Sequence, residues 1–355
     1  MADVLNFILY SAIPFIFALG ILVFVHELGH FLVAKMVGIR VERFSLGYPP
    51  RMFGKKVGDT DYCVSWIPLG GYVKLAGMVD ESLDETSITG APWEFMSKPI
   101  YQRFLVIFAG PLMNVLMAVV IIAGIAYWVG IGELSDKPVV GSVVAEKPAE
   151  LAGLKEGDTI VRINDKDINS WDDIVGTISV SSRDSALSVT WISDGEEITK
   201  EIIPIYDENL QTNMLGISRF VEIHKFGLIP SIGHGFTTTW RITVEIVKVI
   251  GKLFTKEVEL KNTVAGPVSI FKMIGKSAQH GWQEYIMLIA LISLNLGIFN
   301  VLPIPVLDGG HIVYLLIEAV IRRPIPTKTK LIIQQIGMAL LLFLIVWVTI
   351  NDIRR

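Results

Sequence analysis

Cysteine is almost absent: Cys63 is the single one in 355 residues. An internal disulfide is excluded, and a zinc site built on thiolates is implausible, which leaves histidine and carboxylate as the metal ligands on offer. Charge is scarce as well, with Asp, Glu, Lys and Arg making up 19% of the chain and a formal net charge of −4. No basic patch stands out, so nothing recommends nucleic acid as a partner. The first apolar run has no basic segment ahead of it and no convincing small-x-small cleavage site behind it, the two marks of a removable signal peptide. It reads as an uncleaved first transmembrane helix.

Apolar residues are abundant instead, at 52% with a mean hydropathy of +0.54. That is too apolar for an ordinary soluble protein and too interrupted by polar stretches for one wholly in the membrane. Four segments, 7–33, 104–129, 285–301 and 331–350, approach the roughly 20 apolar residues needed to cross a bilayer. The third is the shortest and most broken. Lys35, Arg40, Arg43, Arg51, Lys55 and Lys56 follow the first, and Arg322, Arg323, Lys328 and Lys330 lie between the last two. By the positive-inside tendency both loops face the cytoplasm, which puts the acidic middle region and both termini outside.

The stretch 23–31, VFVHELGHF, carries His26, Glu27 and His30 at the end of the first span. Residues four apart share a helix face, so two imidazoles address one ion while Glu27, one residue round, addresses a water on it. Ionisable groups are costly in hydrocarbon and mark a functional site with a partner. A catalytic zinc takes three protein ligands, and the third candidate lies in 300–311, NVLPIPVLDGGH. Pro303 and Pro305 must interrupt the third span there, and broken backbone at membrane depth lines a protein or water cavity. Asp308 follows at its cytoplasmic end, with His311 as a rival ligand.

Between the first two spans, residues 61–78 alternate apolar and polar on either side of Gly70-Gly71, which predicts strands and a turn. Two readings stand: a small hairpin on the membrane surface, or a dipping β-element with an unpaired edge to which a substrate segment adds as a strand. Region 139–223 has the character of a soluble domain. It contains a capping box at Ser170 and Asp173, and a hairpin signal at Asp194-Gly195. Residues 240–254 place Arg241, Glu245, Lys248 and Lys252 on one stripe, as in a helix lying in the outer interface or packed on that domain. His224, His234 and His280 fall outside any ligand spacing.

The run Pro148-Ala149 to Ala152-Gly153-Leu154, then Gly157-Asp158-x-Ile160, resembles a PDZ domain of the bacterial protease type. Asn164-Asp165 stands where Asn-Gly is the commoner turn, and Asp tolerates that conformation too. Residues 214–218, MLGIS, are either its peptide-binding loop or its closing strand. The pair His-Glu-x-x-His and Asn-x-x-Pro-x-Pro-x-x-Asp-Gly, with this domain between and Gly70-Gly71-Tyr72-Val73 after the first span, resembles the site-2 protease family of intramembrane zinc metalloproteases, in its bacterial RseP (regulator of sigma-E) branch. A single PDZ domain is visible, unlike relatives with two.

The resemblance implies Zn2+ on His26, His30 and Asp308, with Glu27 as general base and proton shuttle. It implies substrate contacts at Gly70, Gly71, Tyr72, Val73 and Asn300, and also at Asn114 of Gly110-Pro111-x-x-Asn114, which is otherwise interhelical glue. It implies cleavage of single-span proteins such as anti-sigma factors after an earlier trimming, possible action on leftover signal peptides, peptide or substrate termini at the PDZ domain, and a bacterial inner-membrane location with that domain periplasmic. The expected fold is a polytopic α-helical membrane protein with a membrane-associated β-hairpin and one inserted PDZ domain. The expected divisions are 1–135, 136–223, 224–283 and 284–355. The competing classes are a non-catalytic PDZ-containing membrane scaffold and a soluble-type zinc protease merely tethered to the membrane.

Overall fold

The computed structural model describes residues 7–78, 89–182, 185–208, 211–255, 257 and 265–354. They form two compact units, Met1–Ile125 with Leu228–Arg355, and Ala126–Gly227. The chain is a polytopic helical membrane protein with a β-rich insert.

Four helices of the first unit are long and apolar enough to cross a membrane: Ile8–Met36, Ile100–Trp128, Trp282–Val301 and Thr327–Arg354. The first comprises a short π turn, Ile8–Ala12, and α1, Ile13–Met36. It runs straight through His26 and His30 because nothing in 13–36 breaks it after Pro14, which sits harmlessly at the helix start. α2 is Ile100–Trp128, with Pro111 inside it. The two helices meet at glycine: a Cβ on Gly29 would collide with the Ala109 carbonyl. Close approach through small residues is the usual way helices associate where lipid removes the hydrophobic incentive.

β1, Val41–Val57, and β2, Thr60–Leu75, make the hairpin between these spans. Its tight reversal is at Gly58-Asp59, between the paired Val57 and Thr60, and not at Gly70-Gly71 as the alternation predicts. Gly58 has φ 60, the left-handed conformation that a two-residue hairpin loop requires. The two glycines at 70 and 71 serve a different geometry. The hairpin bends at its middle and folds over on itself, so residues 43–46 pair with 71–74 on one side and with 61–64 on the other. Gly70 adopts φ 122 in that bend, and a Cβ on Gly71 would lie 2.6 Å from the Ser45 carbonyl oxygen. The segment 71–75 is left as an edge of the folded hairpin.

In the second unit, β3 (Ile131–Leu134) and β4 (Val140–Val143) lead to the short helix α3 (Pro148–Ala152), β5 (Thr159–Ile163), β6 (Lys166–Asp167) and α4 (Trp171–Ser179). β7 (Leu187–Ser193) to β12 (Val221–His224) follow, including β8 (Glu196–Ile202) and β11 (Ile217–Arg219). The largest sheet runs β6-β5-β7-β8, all antiparallel. α4 starts on the expected capping box, with Ser170 Oγ accepting the Asp173 N–H and Asp173 accepting the Ser170 N–H. Trp191, Val189, Ile160 and Ile163 are wholly buried in its core, each worth about 1.5–3 kcal/mol by area. Of the two readings of MLGIS, the closing strand is the one observed: β11 pairs with β4, and the Leu215 carbonyl takes the Ala149 N–H.

The charged helix is longer than the sequence suggests. α5 spans Leu228–Phe254 and packs along the membrane helices through Gly235, Ile242 and Ile246, against Val119, Ala118 and Ile122 of α2. Arg241, Glu245, Lys248 and Lys252 are exposed on its other side. By length and composition this helix is not among the candidate spans, and its opposite face packs on them. α6, Pro267–His280, was not legible; its N-terminus is bonded by Asp352, which accepts from Ser269 N and Oγ at 2.9 Å each. α7 (Trp282–Val301), α8 (Asp308–Ile321) and α9 (Thr327–Arg354) complete the unit.

Candidate metal centre

Two helices deliver three side chains to one point. α1 offers His26 and His30 from one face by its four-residue spacing, and both are buried. Pro303 and Pro305 end α7 at Val301, so a new helix, α8, begins at Asp308 and holds that carboxylate in its first turn. Gly309 and Gly310 allow the tight return, since a Cβ on Gly309 would strike the Leu302 carbonyl. His26 Nε2 lies 3.0 Å from Asp308 Oδ2, His30 Nε2 lies 3.5 Å from it, and the two Nε2 atoms are 3.2 Å apart.

Three bonds of about 2.0–2.2 Å at tetrahedral angles would separate their donor atoms by about 3.3–3.5 Å. The observed triangle fits that spacing with two nitrogens and one oxygen, a hard-to-borderline donor set suited to zinc. Two facing imidazole nitrogens at 3.2 Å also require a proton or a cation between them. Asp308 Oδ2 is buried with no hydrogen-bond donor assigned to it. The residues present therefore fit a zinc ion.

The outer nitrogens are held too. His30 Nδ1 donates to the Val106 carbonyl at 2.8 Å, and His26 Nδ1 lies 3.1 Å from the Asn114 amide. Pro111 removes a donor from this stretch of α2, next to the carbonyl that His30 uses. Gly110 packs its backbone on the rings, and any Cβ there would land on His30 Nε2.

Glu27, adjacent to His26, points at the hairpin. Its Oε2 accepts the Val73 N–H at 3.1 Å, so the edge segment 71–75 runs beside Glu27. Tyr72, the alternate residue, turns away: its hydroxyl accepts from Arg43 Nη1 at 2.9 Å and its ring stacks on Tyr48.

A model of peptidase family M50 matches residues 14–344. The chain belongs to this family. A protein of Rickettsia conorii is 36% identical over 359 residues, with 97% of this chain and 99% of its own covered. RasP of Bacillus subtilis, named a regulator of sigma-W protease, is 30% identical over 423 residues, with 97% and 98% covered. A PDZ domain of an SdrC-like protein from Listeria innocua, known in crystal form, covers 26% of this chain and all of its own at 22% identity, with a TM-score of 0.22. As an M50 peptidase the chain is a zinc metalloprotease, the designation its relatives carry.

Not every predicted residue joins the M50 centre. His311 turns to Gln334, with Nε2 atoms 3.3 Å apart, and does not belong to the converging trio. Asn300 sits half-buried in the last turn of α7 and, among the described residues, has no hydrogen bond to the trio. Asn114 is wholly buried, with its side-chain amide 3.1 Å from His26 Nδ1. Sequence reasoning missed Gly110 and the Val106 carbonyl, for which only the Gly-Pro pair gave a signal. It also missed a buried ion cluster: Glu318 accepts from Arg103 Nη1 at 2.9 Å, Lys330 Nζ at 2.6 Å and Ile325 N at 3.1 Å.

Proposed function

We propose that this metalloprotease cleaves transmembrane segments of single-span membrane proteins, with His26, His30 and Asp308 as the zinc ligands and Glu27 as general base. The observation that carries the reading is the Glu27 contact to Val73, which joins the base, one residue from His26 of the trio and within an apolar span, to the strand edge 71–75. An intact helix hides its peptide bonds. A substrate that unwinds and adds to residues 71–75 as a strand presents its backbone extended, beside Glu27.

A zinc ion held by the trio supplies Lewis acidity toward the scissile carbonyl and the attacking water. The protein does the rest. The Val73 N–H fixes the Glu27 carboxylate, which takes the proton from the water as its oxygen bonds to the carbonyl carbon. Glu27 then gives that proton to the departing amide nitrogen, so the C–N bond breaks to leave a carboxylic acid and an amine, and passage of the acid proton to the amine gives carboxylate and ammonium. Gly70 and Gly71 let the edge bend closely over Val23 and Ser45, which brings it to Glu27 for a substrate strand to join, and Asn300 at the broken end of α7 contacts substrate backbone.

The basic residues after the first span and before the last favour a cytoplasmic position for the centre, in the bacterial inner membrane, with the Ala126–Gly227 unit periplasmic. Anti-sigma-factor-like substrates, trimmed beforehand, fit a site that admits one unwound span, and remnant signal peptides fit it equally. The PDZ-type unit receives substrate termini. The test is cleavage of a membrane-spanning reporter in reconstituted vesicles. Wild type cuts within the span, and Glu27→Gln abolishes cutting while zinc stays bound; a Glu27→Gln chain that cuts normally refutes the assignment.

A further inference from the structure

We infer that Asn114 is a positioning residue that sets the tautomer of His26, through an amide oxygen accepting the His26 Nδ1 proton. The inference rests on the metal-centre reading above and extends it to a residue outside the ligand set.

The two nitrogens of the His26 ring face different surroundings. Nε2 is the atom on the trio side, 3.0 Å from Asp308 Oδ2 and 3.2 Å from His30 Nε2. An imidazole that ligates through Nε2 uses that lone pair, so its proton resides on Nδ1, and Nδ1 is then a donor that needs an acceptor. His30 meets this condition openly, with the Val106 carbonyl at 2.8 Å from its Nδ1. For His26 the group facing Nδ1 is the Asn114 side-chain amide, at 3.1 Å.

The two ends of an amide are nearly identical in shape, and the hydrogen-bond network assigns them. The amide nitrogen faces His26 while Asn114 Oδ1 is buried without a partner. Rotation by half a turn therefore breaks no bond at the far end and places the oxygen against Nδ1–H. Everything else about Asn114 is fixed. It is 0% exposed, Ser293 Oγ of α7 donates to its backbone carbonyl at 2.9 Å, and the position of a Cβ on Gly297 lies 3.4 Å from its own Cβ. A residue so enclosed does not reach a substrate; it faces His26.

Asparagine suits this place for a further reason. A hydroxyl residue is one atom shorter, whereas the amide oxygen reaches the ring and accepts its proton.

The experiment measures zinc affinity of the full-length chain in detergent by competition with a chromophoric chelator, and separately kcat and KM on a membrane-spanning reporter. Asn114→Leu keeps the shape and removes the acceptor, so zinc binding weakens by roughly 10–100-fold. Asn114→Asp keeps an acceptor and holds zinc at least as tightly as wild type. If Asn114→Leu binds zinc like wild type and only raises KM, the residue contacts substrate and the inference is overturned. If Asn114→Leu fails to fold, Asn114→Asp decides: zinc loss in that variant overturns the inference, and retention supports it. Wild type without stoichiometric zinc would overturn the metal-centre reading itself, a result distinguishable from either outcome at position 114.

Discussion

Gly110 is where the centre tolerates least. In Gly110→Ala the new methyl carbon lands on His30 Nε2, 2.6 Å from His30 Cε1 and 2.9 Å from His26 Cε1. Carbon atoms in contact sit about 3.5–4.0 Å apart, so the rings or the helix must give by about 1 Å. The rings are not free to do so, because Val106 and Asn114 hold their outer nitrogens. Overpacking of this kind costs about 1–3 kcal/mol. If it is relieved at the ligands, with tenfold per 1.36 kcal/mol, zinc affinity falls by about 5–150-fold. Gly20→Ala, in α1 with nothing within 4 Å of its Cβ, is the matched control and leaves zinc binding unchanged. The assay is chelator competition on the purified chains. A Gly110→Ala protein that matches wild type in zinc affinity refutes the claim that this backbone packs on the ligands.

Three further outcomes follow from the geometry. Glu318→Ala leaves Arg103 and Lys330, with side chains 9% and 12% exposed, without their shared carboxylate; stability in detergent drops by about 3–5 kcal/mol, and a change under about 1 kcal/mol would deny the cluster its role. Ser170→Ala removes the cap of α4 at a cost of about 1 kcal/mol, read as faster hydrogen exchange in that helix. Lys166 and then Ser170 hold the Asp173 carboxyl below the usual carboxylate range. That contribution is complete above about pH 4 and is lost as the pH falls through the lowered value, so protection of the first turn of α4 declines only in strong acid, and at higher pH in Lys166→Ala.

How much of this was legible depends on the range of the interaction. Spans, the capping box and the Asp194-Gly195 turn are local and were readable, because apolar length and turn chemistry act within a few residues. The shared face of His26 and His30 was readable from helical periodicity, and Asp308 as their candidate companion from the prolines ahead of it; their convergence is what the structure adds. The hairpin was readable but its turn was misplaced, because alternation is the same whether a strand turns or bends, and only the Ser45–Gly71 approach shows which. The Val106 carbonyl, the Asn114 amide and the Arg103–Glu318–Lys330 cluster join residues dozens to hundreds of positions apart and leave no periodic trace.

The most direct test of the central claim is the X-ray absorption spectrum at the zinc edge of the purified full-length protein. The account predicts one zinc per chain in a shell of nitrogen and oxygen at about 2.0–2.2 Å, with the imidazole scattering of two histidines and no sulfur. A shell containing sulfur at about 2.3 Å, or a single imidazole, would contradict it.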